Sequence, residues 1–205
     1  PVAAATVRRA ITDLEAPLPP ITVIPLAFPP VTATGRPPGG HDVVSLGWLA
    51  PNKAPEVILE AFASIDPLPP DARLVFAGPV QGDIADTLRH RAHTRGIADR
   101  LVITGRLDAQ AYAATIAGAR VGVQWRRRHQ GEQSAAVNDL VAAGVPTFTN
   151  LPSAGTLHSL DQLAGVMNDD DLWREASAAA VAAAQSWTVD HVAQAVAAWV
   201  RAPGR

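Results

Sequence analysis

Val121-Gly122-Val123-Gln124-Trp125 runs into Arg126-Arg127-Arg128-His129-Gln130-Gly131-Glu132-Gln133, and then into Ser134-Ala135-Ala136-Val137-Asn138-Asp139-Leu140-Val141-Ala142-Ala143-Gly144-Val145-Pro146. A short apolar run reads as a strand, the charged stretch as a loop, and the Ala-rich stretch ending at a glycine as a helix over about 133–143. A strand-loop-helix of this kind is a ready anion site. The first-turn amides, from about Gln133 to Ala136, lack intrahelical acceptors and point outward along the positive end of the helix dipole. The Ser134 hydroxyl adds a donor. Asp139 follows Glu132 by seven residues, about two turns, so the two carboxylates share a face if the helix begins early enough. A carboxylate two turns from the phosphate end is placed to accept ribose hydroxyls.

The same grammar recurs outward from this stretch. Strands are expected at about 42–47, 73–77, 101–104, 120–125 and 146–149, separated by helices at about 53–65, 83–95, 109–118 and 133–143. Strands alternating with helices imply right-handed crossovers and a parallel, Rossmann-like α/β sheet flanked by helices. Ligands of such sheets sit beyond the carboxyl ends of the strands, where strand order reverses. Gly47, Gly78, Gly105 and the 126–132 loop each follow a strand and should line that one edge. For any single glycine, a tight turn is the commoner explanation.

Residues 1–40 hold many of the 18 prolines and read as an extended connector and the remnant of an N-terminal domain, with a short helix expected over Val2 to Leu14 and an apolar run at Ile21–Leu26. Residues 41–160 form the expected nucleotide-binding domain. Residues 161–205 read as a helical tail: Leu160 to Asn168, Asp169 to Ala184, then Ser186-Trp187-Thr188 capping a last helix that reaches Trp199. Trp173, Trp187 and Trp199 are expected as core or interdomain anchors.

Two blocks resemble the nucleotide-binding half of the GT-B-fold retaining glycosyltransferases, the family 4 group. The first is Gly131-Glu132 through Asp139 to Ala143-Gly144-Val145-Pro146. The resemblance implies that Glu132 faces the donor sugar and Asp139 binds ribose, although six residues separate them where the family has seven between two glutamates. The second is Gly47-Trp48-Leu49-Ala50-Pro51-Asn52-Lys53, similar to the family's Gly-Arg-x-x-x-x-x-Lys-Gly. It implies that Lys53 grips the diphosphate; Trp48 stands in the place of the Arg, which Arg126, Arg127 or Arg128 would have to replace. Gly78 and the Gly105-Arg106-Leu107-Asp108 turn fall where the family's loops contact the base, with Arg106 and Tyr112 as rim contacts. The resemblance runs from about Ile21 to Trp199. After Asn150 it breaks: the family has one more strand, whereas Ser153 to Ser159 leads almost straight into helix.

The expected catalytic residues are therefore Glu132 and Lys53. The expected donor-binding set is Gly47, Lys53, Gly78, Arg106, Arg126, Gln133, Ser134, Ala135 and Asp139. The implied activity is transfer of a sugar from a nucleoside-diphosphate sugar, with the acceptor, a sugar or lipid-linked glycan, held by a separate N-terminal domain. The rivals are a non-catalytic sugar-nucleotide-binding or scaffold domain and a GT-B sugar epimerase.

Composition narrows the classes. A 205-residue chain with 48% hydrophobic residues is globular. Net charge is −2, so no global field draws nucleic acid or anionic lipid. The absence of cysteine excludes disulfides, thiolate metal sites and cysteine nucleophiles. His90 and His93 lack a third ligand, so no protein-bound metal and no cofactor beyond the donor are expected. No apolar run approaches the ~18 residues of a membrane span. The cytoplasm is the expected compartment, with the inner membrane face as a second place. A start at Pro1 points to a fragment or a processed end.

Overall fold

The computed structural model describes residues 22–35 and 37–201. Five parallel strands form one sheet in the order β3-β2-β1-β4-β5: β1 (Asp42–Leu46), β2 (Arg73–Ala77), β3 (Leu101–Gly105), β4 (Ala119–Gln124) and β5 (Thr147–Thr149). The crossovers carry α1 (Pro55–Ala63), α2 (Ile84–Thr94), α3 (Ala109–Ala117) and α4 (Ala135–Ala142). After β5 come α5 (Leu163–Asn168), α6 (Asp170–Ser186) and α7 (Val189–Arg201).

Alternation along each strand assigns the two faces. Val43, Leu74, Phe76, Val121 and Val123 bury one face against Ile58, Leu59 and Phe62 of α1, Leu88 and Ala92 of α2, and Leu163 and Met167 of α5. Val44, Leu46, Val75 and Ala77 turn the other way, toward Ile116 of α3 and Leu140 of α4. With both faces covered, the strands read as near-continuous apolar runs. Chain order and strand order diverge between β1 and β4, which are neighbours although two strands and three helices separate them in sequence. That is the switch point of the sheet.

Two helix starts differ from expectation. The helix expected from residue 53 begins at Pro55, and Lys53 instead ends a separate 3-10 turn, Pro51–Lys53. Ala54 breaks the two apart in the left-handed region, φ 45°. The helix expected from residue 133 begins at Ala135, because Ser134 has the extended backbone of an N-cap residue. Glu132 thus lies on the loop and does not share a helix face with Asp139.

The missing strand leaves a remnant. Leu157 bridges to β5, donating to Thr147 O at 2.8 Å and accepting from the Thr149 N–H at 2.8 Å, so one residue covers the sheet edge. The helical tail starts later than expected: Leu160–Gln162 is a 3-10 turn, and Asp169 caps α6 by accepting from the Asp171 and Leu172 amides.

The expected helix over Val2 to Leu14 lies outside the described residues. From residue 22 to 35 no helix or strand forms, and the chain runs along α4 and α6. Phe28 N–H donates to Trp187 O, Trp187 Nε1 to Pro25 O, and Thr32 N–H to Ala142 O. Phe28 is buried with Val137, Val141, Ala142, Ala180 and Ala184. Trp173 is a core anchor, and Trp199 is 42% exposed. Among the described residues no helix is long and apolar enough to cross a membrane.

Candidate functional site

Gly47, Gly78, Gly105 and the 125–134 loop follow the C-terminal ends of β1 to β4, so the expected single edge is formed. At the switch point, β1 delivers Lys53 and β4 delivers Arg126. The chain leaves β1 through Gly47 (φ 87°), and the Lys53 ammonium folds back over this glycine to donate to Leu46 O at 3.1 Å. A Cβ on Gly47 would lie 2.8 Å from Lys53 Nζ. Gly78 packs from the neighbouring strand end, and a Cβ there would come within 2.2 Å of Gly47 O. Gly78 is thus required by close backbone approach as well as by φ, and Gly47 by its φ.

Lys53 is half-buried beside a second cation. Burial, and then the charge of Arg126, lower its pKa to about 8. Two like charges brought together at the switch point repel unless an anion joins them.

Of the three loop arginines, the fold commits one elsewhere and leaves one facing Lys53. Arg127 pins the loop to the 3-10 turn: its amide donates to Asn52 O, its Nε to Pro51 O, and its guanidinium pairs with Glu56. Arg128 is exposed. Arg126 is held by its backbone, accepting from Asn150 Nδ2 at 2.7 Å and donating to Asn150 Oδ1 at 2.9 Å. Its side chain is only 17% exposed and its Nε lies 3.9 Å from Glu132. Arg126 is therefore the loop arginine whose charge acts on Lys53. Asn150 and Glu56 are not singled out by the sequence; the one signal available is that Asn150 follows β5 on the same edge.

Glu132 is exposed and folds onto its own loop, where Oε2 accepts from the Gln130 amide at 2.7 Å. Desolvation pulls its pKa upward, but the amides of Gln130 and Glu132 and the charges of Arg126 and His129 outweigh it and hold the carboxyl below its ordinary value. It is an ionised group beside Arg126, ready to orient that guanidinium or a hydroxyl.

The amides at the α4 start belong to Ala135 and Ala136, since Val137 and Asn138 already donate to Ser134 O. Gln133 departs from its expected place: it precedes the cap residue, and its side-chain oxygen accepts from the Leu26 amide of the connector. Ser134 is buried, and its hydroxyl makes no capping bond. One turn on, Asp139 accepts through Oδ2 from the Tyr112 hydroxyl at 2.7 Å. Burial first, then the bond to Asp139 and its charge, raise the Tyr112 pKa, so this hydroxyl stays a donor. Arg106 is exposed beyond β3, two strand spacings or about 10 Å from β1. It stands apart from the Lys53–Arg126 centre.

Comparison with known proteins agrees with this fold. A search of curated proteins returns no match. Among solved structures, S. aureus TarM, crystallised with Fondaparinux, α-GlcNAc-glycerol and UDP, is similar at 9% identity and TM-score 0.74, over 96% of this chain and 42% of that one. Anabaena Alr3699/HepE, in complex with UDP and glucose, is similar at 18% identity and TM-score 0.62, over 78% of this chain and 48% of its own. The C-terminal domain of a glycosyl transferase group 1 family protein (LpcC) from Francisella tularensis gives 14% identity and TM-score 0.62, over 78% and 95%. The chain thus spans about half the length of TarM and HepE, and the fold is that of the C-terminal half of a GT-B glycosyltransferase. The family described as "Glycosyl transferases group 1" matches residues 32–150, more than half of the chain and every strand of the sheet, and the protein belongs to that family.

Proposed function

We propose that this chain binds a nucleoside-diphosphate sugar as the donor half of a retaining glycosyltransferase. The observation that carries the reading is the convergence of Lys53 and Arg126 at the β1/β4 switch point, in front of the α4 amides and one turn from Asp139. The cations and the Ala135–Ala136 amides would stabilise charge growing on the departing diphosphate, and Asp139 would hold the ribose hydroxyls. Glu132 would face the donor sugar. No protein-bound metal is needed in this reading, because two side-chain cations meet the diphosphate. TarM and HepE were both crystallised with UDP, which makes UDP-sugars the first donors to test. The acceptor, a sugar or lipid-linked glycan, would be held by an N-terminal domain, and transfer would take place on the cytoplasmic side, where sugar nucleotides are made.

Calorimetry with UDP, GDP, ADP and their sugars tests this. Lys53→Ala and Arg126→Ala should each weaken the best ligand by about 1.5–3 kcal/mol, the range for hydrogen bonds to charged groups. They should weaken inorganic pyrophosphate alike. Binding untouched by both substitutions would overturn the reading.

Trp48 favours a second reading. It is 57% exposed where the family carries an Arg, and a site short of that fork suits binding without turnover. Sugar release by the complete protein, compared with its Glu132→Gln form, separates the two: a large loss in the variant supports catalysis, and no turnover in either supports a binding domain.

A further inference from the structure

We infer that Tyr112 is a positioning residue for the Asp139 carboxylate, fixing Oδ2 so that Oδ1 meets the ribose diol. The inference rests on the reading of the site as a nucleoside-diphosphate site and adds to it a group from a different helix. Three observations converge on it. The Tyr112 hydroxyl donates to Oδ2 at 2.7 Å across the gap between α3 and α4. Among the described residues no group donates to the other oxygen, so half of the carboxylate's accepting capacity is uncommitted. The pair also lines a cavity of about 580 Å³ between α3, α4 and the connector residues Pro29 and Thr32.

Tyr112 is built to hold this position. Asp108 caps α3 by accepting from the Ala111 amide at 2.8 Å, and Tyr112 N–H closes the first turn onto Asp108 O. Its ring packs on the cluster of Val44, Leu46, Ile116 and Leu140. The ring is thus set by the core, and the hydroxyl is delivered at a fixed height to a side chain with two soft torsions. A carboxylate locked in advance loses less rotational freedom on binding and presents its free oxygen in one direction. Burial and the Asp139 charge keep the phenol protonated, so the bond persists across the pH range of binding.

Tyr112→Phe keeps the ring and removes only the donor. Its affinity for UDP, 2′,3′-dideoxy-UDP and pyrophosphate should be measured by calorimetry beside that of wild type and Asp139→Ala, with GDP or ADP pairs substituted if wild type prefers that base. The expected result is a 3- to 10-fold loss for the ribonucleotide, with the dideoxy analogue and pyrophosphate unchanged, so that the preference for the diol shrinks toward that of Asp139→Ala. An intact diol preference in Tyr112→Phe would overturn the inference while leaving the donor site standing. An equal loss on all three ligands would mark Tyr112 as merely structural and also overturn it. Wild type that binds no nucleoside diphosphate better than pyrophosphate would remove the site reading and this inference together.

Discussion

Lys53 carries a pH signature that a surface lysine lacks. Its folded-state pKa is lowered to about 8 by burial and by Arg126, against about 10.4 for a lysine in an unfolded chain. Unliganded, the folded protein therefore gains stability as pH rises from about 8 toward 10.4, because the unfolded chain holds the proton longer. Binding runs the other way. A diphosphate favours the charged amine, so affinity should be flat below about 8 and fall by up to about tenfold per pH unit above it. Calorimetry at pH 9 in two buffers of different ionisation enthalpy should report uptake of close to one proton, and a Lys53→Met variant should lose both the uptake and the slope. Asp139 calls for a different measurement. Asp139→Ala should weaken nucleoside diphosphate far more than pyrophosphate, since its place one turn into α4 lies beyond the diphosphate; equal losses would dissociate it from ribose.

The elements show where sequence pattern stops being informative. Strand positions and helix types were readable because Val43-Val44, Leu74-Val75-Phe76 and Val121-Gly122-Val123 are short apolar runs between turn residues. Lys53 and Asp139 were found at the expected edge for the same reason, as residues at fixed distances from Gly47 and Gly144. What escaped depends on contacts distant in sequence. Which arginine faces Lys53 is decided by Glu56, 71 residues from Arg127, which takes that side chain out of play. Tyr112 and Asp139 are 27 residues apart, and nothing in either segment announces the bond. The sequence pattern starts α4 near residue 133, whereas the connector takes Gln133 through the Leu26 amide and the helix begins at Ala135. The tail is anchored in a comparable way. Trp173 on α6 is only 4% exposed, its Nε1 donates to Arg120 O at 2.7 Å, and the Arg120 guanidinium lies over its ring while pairing with Asp170. Trp173→Ala should cost about 3–5 kcal/mol, the range for deleting a large buried aromatic. Urea unfolding would read this as a lower midpoint with unchanged slope. A loss below about 1 kcal/mol would show that α6 is not fastened to β4 through this residue.

At the scale of the whole molecule, the 205-residue chain should bind a donor nucleotide without transferring sugar. The site lies along one open edge of a single sheet, and the chain spans about half the length of TarM and HepE. Transfer requires an acceptor oxygen held against the donor carbon, and such proximity supplies roughly 7–11 kcal/mol of the barrier. In the proposed reading, Lys53, Arg126, Asp139 and the α4 amides all address the nucleotide side. An open edge also leaves the diphosphate partly in water, where Lys53 and Arg126 count for less than they would in a closed cleft. Binding depends on contacts the fold already makes; turnover depends on a wall opposite them. Purified chain incubated with its best-binding sugar nucleotide should therefore show ligand-dependent thermal stabilisation and no acceptor-dependent nucleotide release. A glycosylated product formed from a broad acceptor set would overturn this, and would mean that the exposed edge itself, with Trp48 projecting from it, holds an acceptor.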